Sequence, residues 1–400
     1  MFGIPIDFIL FASTLVGIAV FHRFTLPVAL TGLAAITFYK LAFTSFKDGP
    51  GLSGLGLHLQ HEWVGLANLF LLLTGFALLS RHFEESRVPE ELPAILPGNW
   101  TGAFALLAIV FVLSGFLDNI AAALIGGTMA RHVFKGKIHI GYLAALVGAS
   151  NSGGAGSVLG DTTTTMMWIA GVSPLNVLDA YLPAAVALIV FGIPASRLQQ
   201  GYSAIIKQPS RRLQIAWVPL FIVGAILIAV VLTNVISNIK FPAVLDKAPV
   251  LGLAVWAVIL ATSPLRRPDW RVMPETVSGT VFLLALVICA SMMPVDKLPT
   301  PSWQTSLSLG FISAVFDNIP LTALALRQGG YDWGMLAYAV GFGGSMTWFG
   351  SSAGVALANL FPEAKSVGLW LRHGWFVVPA YVVGFFVMLA VLGWKPDATY

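Results

Sequence analysis

Apolar runs of spanning length succeed one another along this chain, and that succession constrains the fold more than any other feature. They lie at Ile4–Phe21, Leu26–Phe43, Trp63–Ser80, Leu178–Pro194, Ile215–Val235, Val250–Ser263, Val277–Met293 and His373–Leu392. A helix needs about 20 apolar residues to cross a bilayer, and in lipid every backbone polar group must be paired. A polytopic helical bundle follows. Composition agrees: 57% of the 400 residues are hydrophobic and only 10% charged, against ~25% charged in soluble domains. The surplus apolar surface fits the lipid bilayer. The net charge of +4 sits on Lys and Arg in short loops, where membrane topology requires them, and gives no sign of a nucleic-acid partner. Met1–Phe21 lacks the basic region and cleavage site of a signal peptide and reads as the first span. Cys289, the single cysteine, reads as a small buried hydrophobe.

Two longer apolar regions, about Trp100–Pro174 and Ser302–Pro362, are broken by Gly, Asn, Asp, Ser and Thr. They match each other. Ser114-Gly115-Phe116-Leu117-Asp118-Asn119-Ile120 recurs as Ser313-Ala314-Val315-Phe316-Asp317-Asn318-Ile319. Further on, Gly153-Gly154 aligns with Gly343-Gly344, and Gly160-Asp161-Thr162 with Gly350-Ser351-Ser352. Three plain spans precede each Asp-Asn motif and one follows each second break. The basic stretch Arg197–Arg212 divides the chain near its middle.

Each Asp-Asn segment either crosses the membrane or turns back as a re-entrant hairpin, and the distribution of Lys and Arg barely separates the two. The hairpin is preferred. Asp-Asn is a poor helix interior, and the arm Asn119–Ala130 is only about 18 Å long at 1.5 Å per residue. Irregular backbone at membrane depth is also a way to build an ion site. The expected fold is therefore an all-α polytopic membrane protein of two inverted repeats, each of about five transmembrane helices with a re-entrant hairpin and a broken helix. Repeat 1 covers 1–196, with three spans, a hairpin at 100–131, a broken span at 138–171 and a span at 178–194. A cytoplasmic linker, 197–212, follows. Repeat 2 covers 213–400, with three spans, a hairpin at 302–328, a broken span at 334–361 and a span at 373–393. Both termini then lie outside a bacterial inner membrane.

The candidate site residues come from the two broken regions. A carboxylate deep in a membrane segment costs at least ~2.5 kcal/mol and is expected to face a cavity or a partner. Asp118 and Asp317, each followed by an Asn (Asn119, Asn318), qualify, although such residues can also cap a helix. Asp161 lies in a Gly-rich stretch with Asn151, Ser152, Thr162 and Thr163. Unwinding there frees carbonyl oxygens, hard ligands suited to a small cation. The matching stretch contributes Ser345, Ser351 and Ser352, with Ser351 where Asp161 stands. It has no carboxylate, so the first half should hold its cation more strongly. Asn151 has no clear polar match. His22, His58, His61, His82, His132 and His139 fall in loops or at span ends, His373 opens the last span, and Asp7 reads as interfacial. No P-loop, Cys/His metal spacing or nucleophile–base pair is present, so neither ATP coupling nor enzymatic catalysis is expected, and no cofactor.

At these motifs the chain resembles the ion transporter superfamily, which includes citrate- and arsenite-permease-like relatives. Asp118-Asn119-Ile120 and Asp317-Asn318-Ile319 look like its hairpin tips, and Ser152–Thr164 looks like the broken span of NhaD-type sodium/proton antiporters. Dicarboxylate symporters resemble it less, since their tips read Ser-Asn-Thr. The resemblance implies elevator-like movement of a hairpin domain against a scaffold, commonly in a homodimer. Two functions are weighed. In cation/proton antiport, burial disfavours a carboxylate's charged form and a bound Na⁺ restores it, so Na⁺ (or Li⁺) and H⁺ compete as coupling ions, chiefly at Asp161 and Asp118. In the alternative, Na⁺- or H⁺-coupled transport of a small organic anion such as citrate or a dicarboxylate, helix N-termini would hold the substrate. That reading lacks a basic residue in the site, unless Arg327 reaches it. Antiport is favoured.

Overall fold

Apolar sequence this continuous leaves the backbone no partner but itself, and the computed structural model is correspondingly helical. It describes residues 5–21, 24–47, 49–88, 96–205, 215–241, 244 and 247–397; residues 206–212 of the expected linker and His22 lie outside these. Among the described residues every regular element is a helix, apart from an isolated bridge between Phe46 and Gly49. The chain is thus an all-α, multi-pass membrane protein. Four helices are long and apolar enough to cross alone: Thr25–Phe43, Gly51–Glu85, Pro174–Tyr202 and Trp270–Ser291. The pair Val367–His373 and Val377–Leu392, bent by 60°, makes a fifth. Other apolar runs form shorter helices, among them Trp100–Ser114 and Val250–Thr262. The helix Gly51–Glu85 extends well beyond its apolar run, so His58 and His61 stand within a helix rather than a loop.

The chain forms two compact units, and each takes segments from both sequence halves. The first comprises Met1–His82, Leu220–Pro299 and Thr322–Gln328. Within it Ile6–Val20 packs on Thr25–Phe43 so closely that a Cβ on Gly32 would lie 2.2 Å from Thr14 Oγ1. Asp7, expected at an interface, is instead buried with its carboxylate 3.1 Å from Lys40 Nζ. Asn68 accepts from the Gly252 amide at 3.0 Å, and the Trp256 indole donates to Leu71 O at 2.9 Å. These bonds join Gly51–Glu85 to Val250–Thr262. His58 meets Ser291 at 2.9 Å. At the solvated loop after Val250–Thr262, the Arg271 amide and then the Arg81 guanidinium hold the Asp269 carboxyl below its usual range.

The second unit comprises Phe83–Pro219, Thr300–Leu321 and Gly329–Tyr400. Its core is aromatic: Phe191, Phe342, Tyr338 and Tyr381 stack in that order at 5.6–5.8 Å between ring centroids. The two tyrosine hydroxyls donate to helix carbonyls, Tyr381 to Leu307 O at 2.8 Å and Tyr338 to Tyr381 O at 3.1 Å, so neither phenol is buried unpaired. Tyr181–Tyr202 continues through Pro194, as helices in bundles tolerate when neighbours cover the break.

Within this unit the two broken regions carry matching contacts. Trp100–Ser114 turns through residues 115–118 into Asn119–Val133; Trp303–Ser313 turns through 314–317 into a helix that begins at Asn318. Ile140–Ala155 ends, six non-helical residues follow, and Thr162–Ile169 begins; Trp333–Gly343 similarly gives way to Ser352–Leu360. Ser114 Oγ donates to Ser150 O, and at the matching place Ser313 Oγ donates to Val340 O. A Cβ on Gly153 would come within 2.1 Å of Phe111 O, and one on Gly343 within 2.2 Å of Gly310 O. Only glycine permits either approach.

Candidate functional site

Each break ends in a helix N-terminus, and each N-terminus carries a capping side chain. The first amides of a helix have no partner within it. Asp118 accepts from the Ile120 amide at 3.1 Å, Asp317 from Ile319 at 3.1 Å, Asp161 from Thr163 at 2.9 Å and Ser351 from Gly354 at 3.2 Å. Asp161 and Ser351 adopt the same extended backbone, with φ −144° at both and ψ 141° and 152°. Ser351 does stand in the place of Asp161.

The residues beside these caps converge. Asp161 is 2% exposed. Its carboxylate accepts from Asn119 Nδ2 at 3.2 Å and, at a longer 3.4–3.5 Å, from Asn318 Nδ2. Asn119 Nδ2 also donates to Asn151 Oδ1 at 3.2 Å. Asn151 Nδ2 in turn donates to Ser351 Oγ at 2.9 Å and Ser345 Oγ at 3.0 Å. Six of the sequence-derived candidates, Asn119, Asn151, Asp161, Asn318, Ser345 and Ser351, thus form one buried network drawn from both halves. Asp317 and Ser352 form a separate pair, the hydroxyl donating to the carboxylate at 3.0 Å. Asp118 caps its own helix.

Thr162 and Thr163 are buried directly after Asp161. The Thr163 hydroxyl oxygen, beside the carboxylate, meets no partner of hydrogen-bonding geometry among the described residues. Ser152 stands apart: its hydroxyl returns to its own helix at Gly148 O, 2.6 Å away. Thr164 and Thr165, not singled out in the sequence, fix the unwound stretch. Their hydroxyls donate to Ser157 O at 2.6 Å and Val158 O at 2.9 Å. Ser114 and Ser313 were also passed over, although both open the duplicated motif that named Asp118 and Asp317. Arg327 lies outside the network, its guanidinium 2.9 Å from Glu62. His139 and His373 meet edge to face at 4.9 Å, and His139 Nδ1 accepts from the Gly141 amide at 3.1 Å.

A buried carboxylate held by neutral amides, with a hydroxyl oxygen beside it, has the chemistry to take a small hard cation or a proton. Among the described residues no group of three His, Cys, Asp or Glu side chains gathers to hold a metal ion. Fold and site together define a polytopic membrane protein with paired, polar, interrupted helices.

Known proteins named sodium/proton antiporters resemble the chain over most of its length. It is 25% identical to sodium/proton antiporter 1 of Arabidopsis thaliana, over 84% of this chain and 64% of that protein. It is 26% identical to the Na⁺/H⁺ antiporter NhaD of Alkalimonas amylolytica, over 84% of this chain and 78% of the relative. With NhaD of Vibrio parahaemolyticus the identity is 25%, over 75% and 84%. No protein-family model matches the chain. The resemblance to NhaD-type antiporters read from the motifs is borne out by these relatives.

Proposed function

We propose that the chain is a secondary active transporter exchanging Na⁺ or Li⁺ for H⁺ across a bacterial inner membrane, with the ions competing for Asp161. It is a transporter and not an enzyme, in keeping with relatives that are named antiporters. The observation that carries the reading is Asp161 itself. It is a buried carboxylate whose side-chain neighbours, Asn119 and Asn318, bring hydrogen-bond donors but no positive charge. Such a group is stabilised either by protonation or by a bound cation. Exclusive occupancy by one or the other gives exchange, provided the site faces the two sides in turn. Asn119, Asn151, Asn318, Ser345 and Ser351 shape the centre, Thr162 and Thr163 add oxygens, and Ser152 supports the helix Ile140–Ala155 that carries Asn151. Asp118 and Asp317 with Ser352 complete the tips, their charge offsetting the positive ends of the helices that they cap.

Further features fit an elevator. The hairpins at 100–131 and 302–328 and the broken spans at 138–171 and 334–361 would be halves of two inverted repeats, 1–196 and 213–400, joined by a cytoplasmic linker at 197–212 with both termini outside. The matched serine bonds and glycine contacts support that duplication. Each compact unit draws on both repeats, as a moving body and a scaffold would. A homodimer is the expected assembly.

Transport of an organic anion is less well supported. The helix N-termini that would hold a carboxylate substrate already serve Asp118, Asp161 and Asp317. The one arginine considered for such a role, Arg327, is engaged with Glu62.

Proton competition is directly measurable. On the acid side of the Asp161 titration, the apparent constant for Na⁺ should weaken by about tenfold per pH unit, as one-for-one linkage requires. A Na⁺ constant independent of pH across the active range would exclude a shared carboxylate.

A further inference from the structure

The two halves of the centre are built on one plan but filled differently. Carrying the alignment of Gly153-Gly154 with Gly343-Gly344 along both stretches pairs Asp161 with Ser351, Ala155 with Ser345, and Asn151 with Gly341. On one side, three polar groups close on one another: the Asn151 amide nitrogen sits between Ser351 Oγ and Ser345 Oγ, at 2.9 and 3.0 Å. On the matching side the trio is Gly341, Ala155 and Asp161. The amide is replaced by hydrogen, the hydroxyl by a methyl, and the remaining hydroxyl by a carboxylate. A Cβ added to Gly341 would lie 3.4 Å from Asp161 Oδ2 and 3.4 Å from Ala155 Cβ.

We infer that the duplicated centre binds a single cation, beside Asp161 at Gly341, because the Asn151 amide permanently takes the equivalent place against Ser345 and Ser351. This rests on the cation-site reading given above. An amide N–H pair offers two hydroxyl oxygens what an ion would offer them: positive charge aimed at lone pairs. Where the amide is present no carboxylate is needed to balance charge, and position 351 is Ser. Where the amide is absent the balancing carboxylate is present, and the two residues facing it are the smallest available. Gly341 is therefore a specificity-determining position, since any side chain there narrows the place beside Asp161 Oδ2.

The test is equilibrium binding of labelled Na⁺ and Li⁺ to the purified full chain. The wild type should saturate at one Na⁺ per chain. Gly341→Ala should fold, since its added methyl meets neighbours at ordinary contact distance and alanine favours the helix. It should bind Na⁺ at least tenfold more weakly, and the smaller Li⁺ less so. The double variant Asn151→Gly/Ser351→Asp, which removes the amide and supplies the balancing carboxylate as at Asp161, should bind a second Na⁺. If that variant does not fold, Gly341→Ala decides alone. Two Na⁺ per wild-type chain, or wild-type Na⁺ affinity in Gly341→Ala, would overturn the inference and leave the cation site standing. A wild type that binds neither ion would overturn both.

Discussion

At Asp161 the chain sets an acidic side chain among amides and hydroxyls, with less than a twentieth of it exposed. The expense of a carboxylate in an apolar run made Asp161, Asp118 and Asp317 legible in the sequence, and the adjacency of Asn119 and Asn318 followed from them. What the sequence could not convey is which face of an interrupted helix looks inward. Ser152 and Asn151 are neighbours in a small, polar stretch, yet Asn151 joins the network and Ser152 bonds back to its own helix. Thr164 and Thr165 were hidden for a similar reason: their carbonyl partners exist only because the backbone unwinds at 156–161. The Thr163 hydroxyl gives a prediction at this scale. It satisfies no hydrogen bond of good geometry, so Thr163→Val should leave the thermal unfolding midpoint within a few degrees of wild type. Na⁺ affinity in a transport assay should fall several-fold. A variant with unaltered Na⁺ affinity would remove Thr163 from the site.

Helices, the next scale, were legible as apolar runs but not in their lengths. Gly51–Glu85 continues through His58, which finds Ser291 as a buried partner. The interrupted helices shorten where Gly153 and Gly343 press against a neighbouring backbone. Caps decide where the short helices start. Removing the Asp118 cap with Ala should cost about 0.5–2 kcal/mol, seen as a lower unfolding midpoint, whereas Asp118→Asn keeps a capping oxygen and should retain most of that stability. Comparing transport in the two variants separates cap from charge. Equal activity of Asp118→Asn and wild type would show that Asp118 serves as a cap alone. A second prediction concerns Asp7 and Lys40, which lie 3.1 Å apart and buried between Ile6–Val20 and Thr25–Phe43. Asp7→Ala strands a buried ammonium and should destabilise by about 3–5 kcal/mol. Asp7→Leu/Lys40→Met removes both charges and should recover most of the loss, as thermal unfolding in detergent would record.

For the whole molecule, composition alone indicated a membrane bundle, and the duplicated motif pointed to two related halves. The division into compact units was not legible, because contacts regroup the chain: 1–82 joins 220–299, while 83–219 joins 300–321 and 329–400. That regrouping puts Asp118, Asp161 and Asp317 in one unit. The central claim is that Na⁺ and H⁺ exchange at Asp161, and the direct measurement is a dye-reported pH change in everted vesicles containing the protein. On adding Na⁺ or Li⁺ the account predicts a loss of the acid interior with wild type and none with Asp161→Asn, whose amide can still cap Thr162–Ile169. A wild-type response that persists undiminished in Asp161→Asn, or no wild-type response between about pH 6.5 and 9, the span around neutrality where a buried carboxyl can exchange a proton, would contradict it.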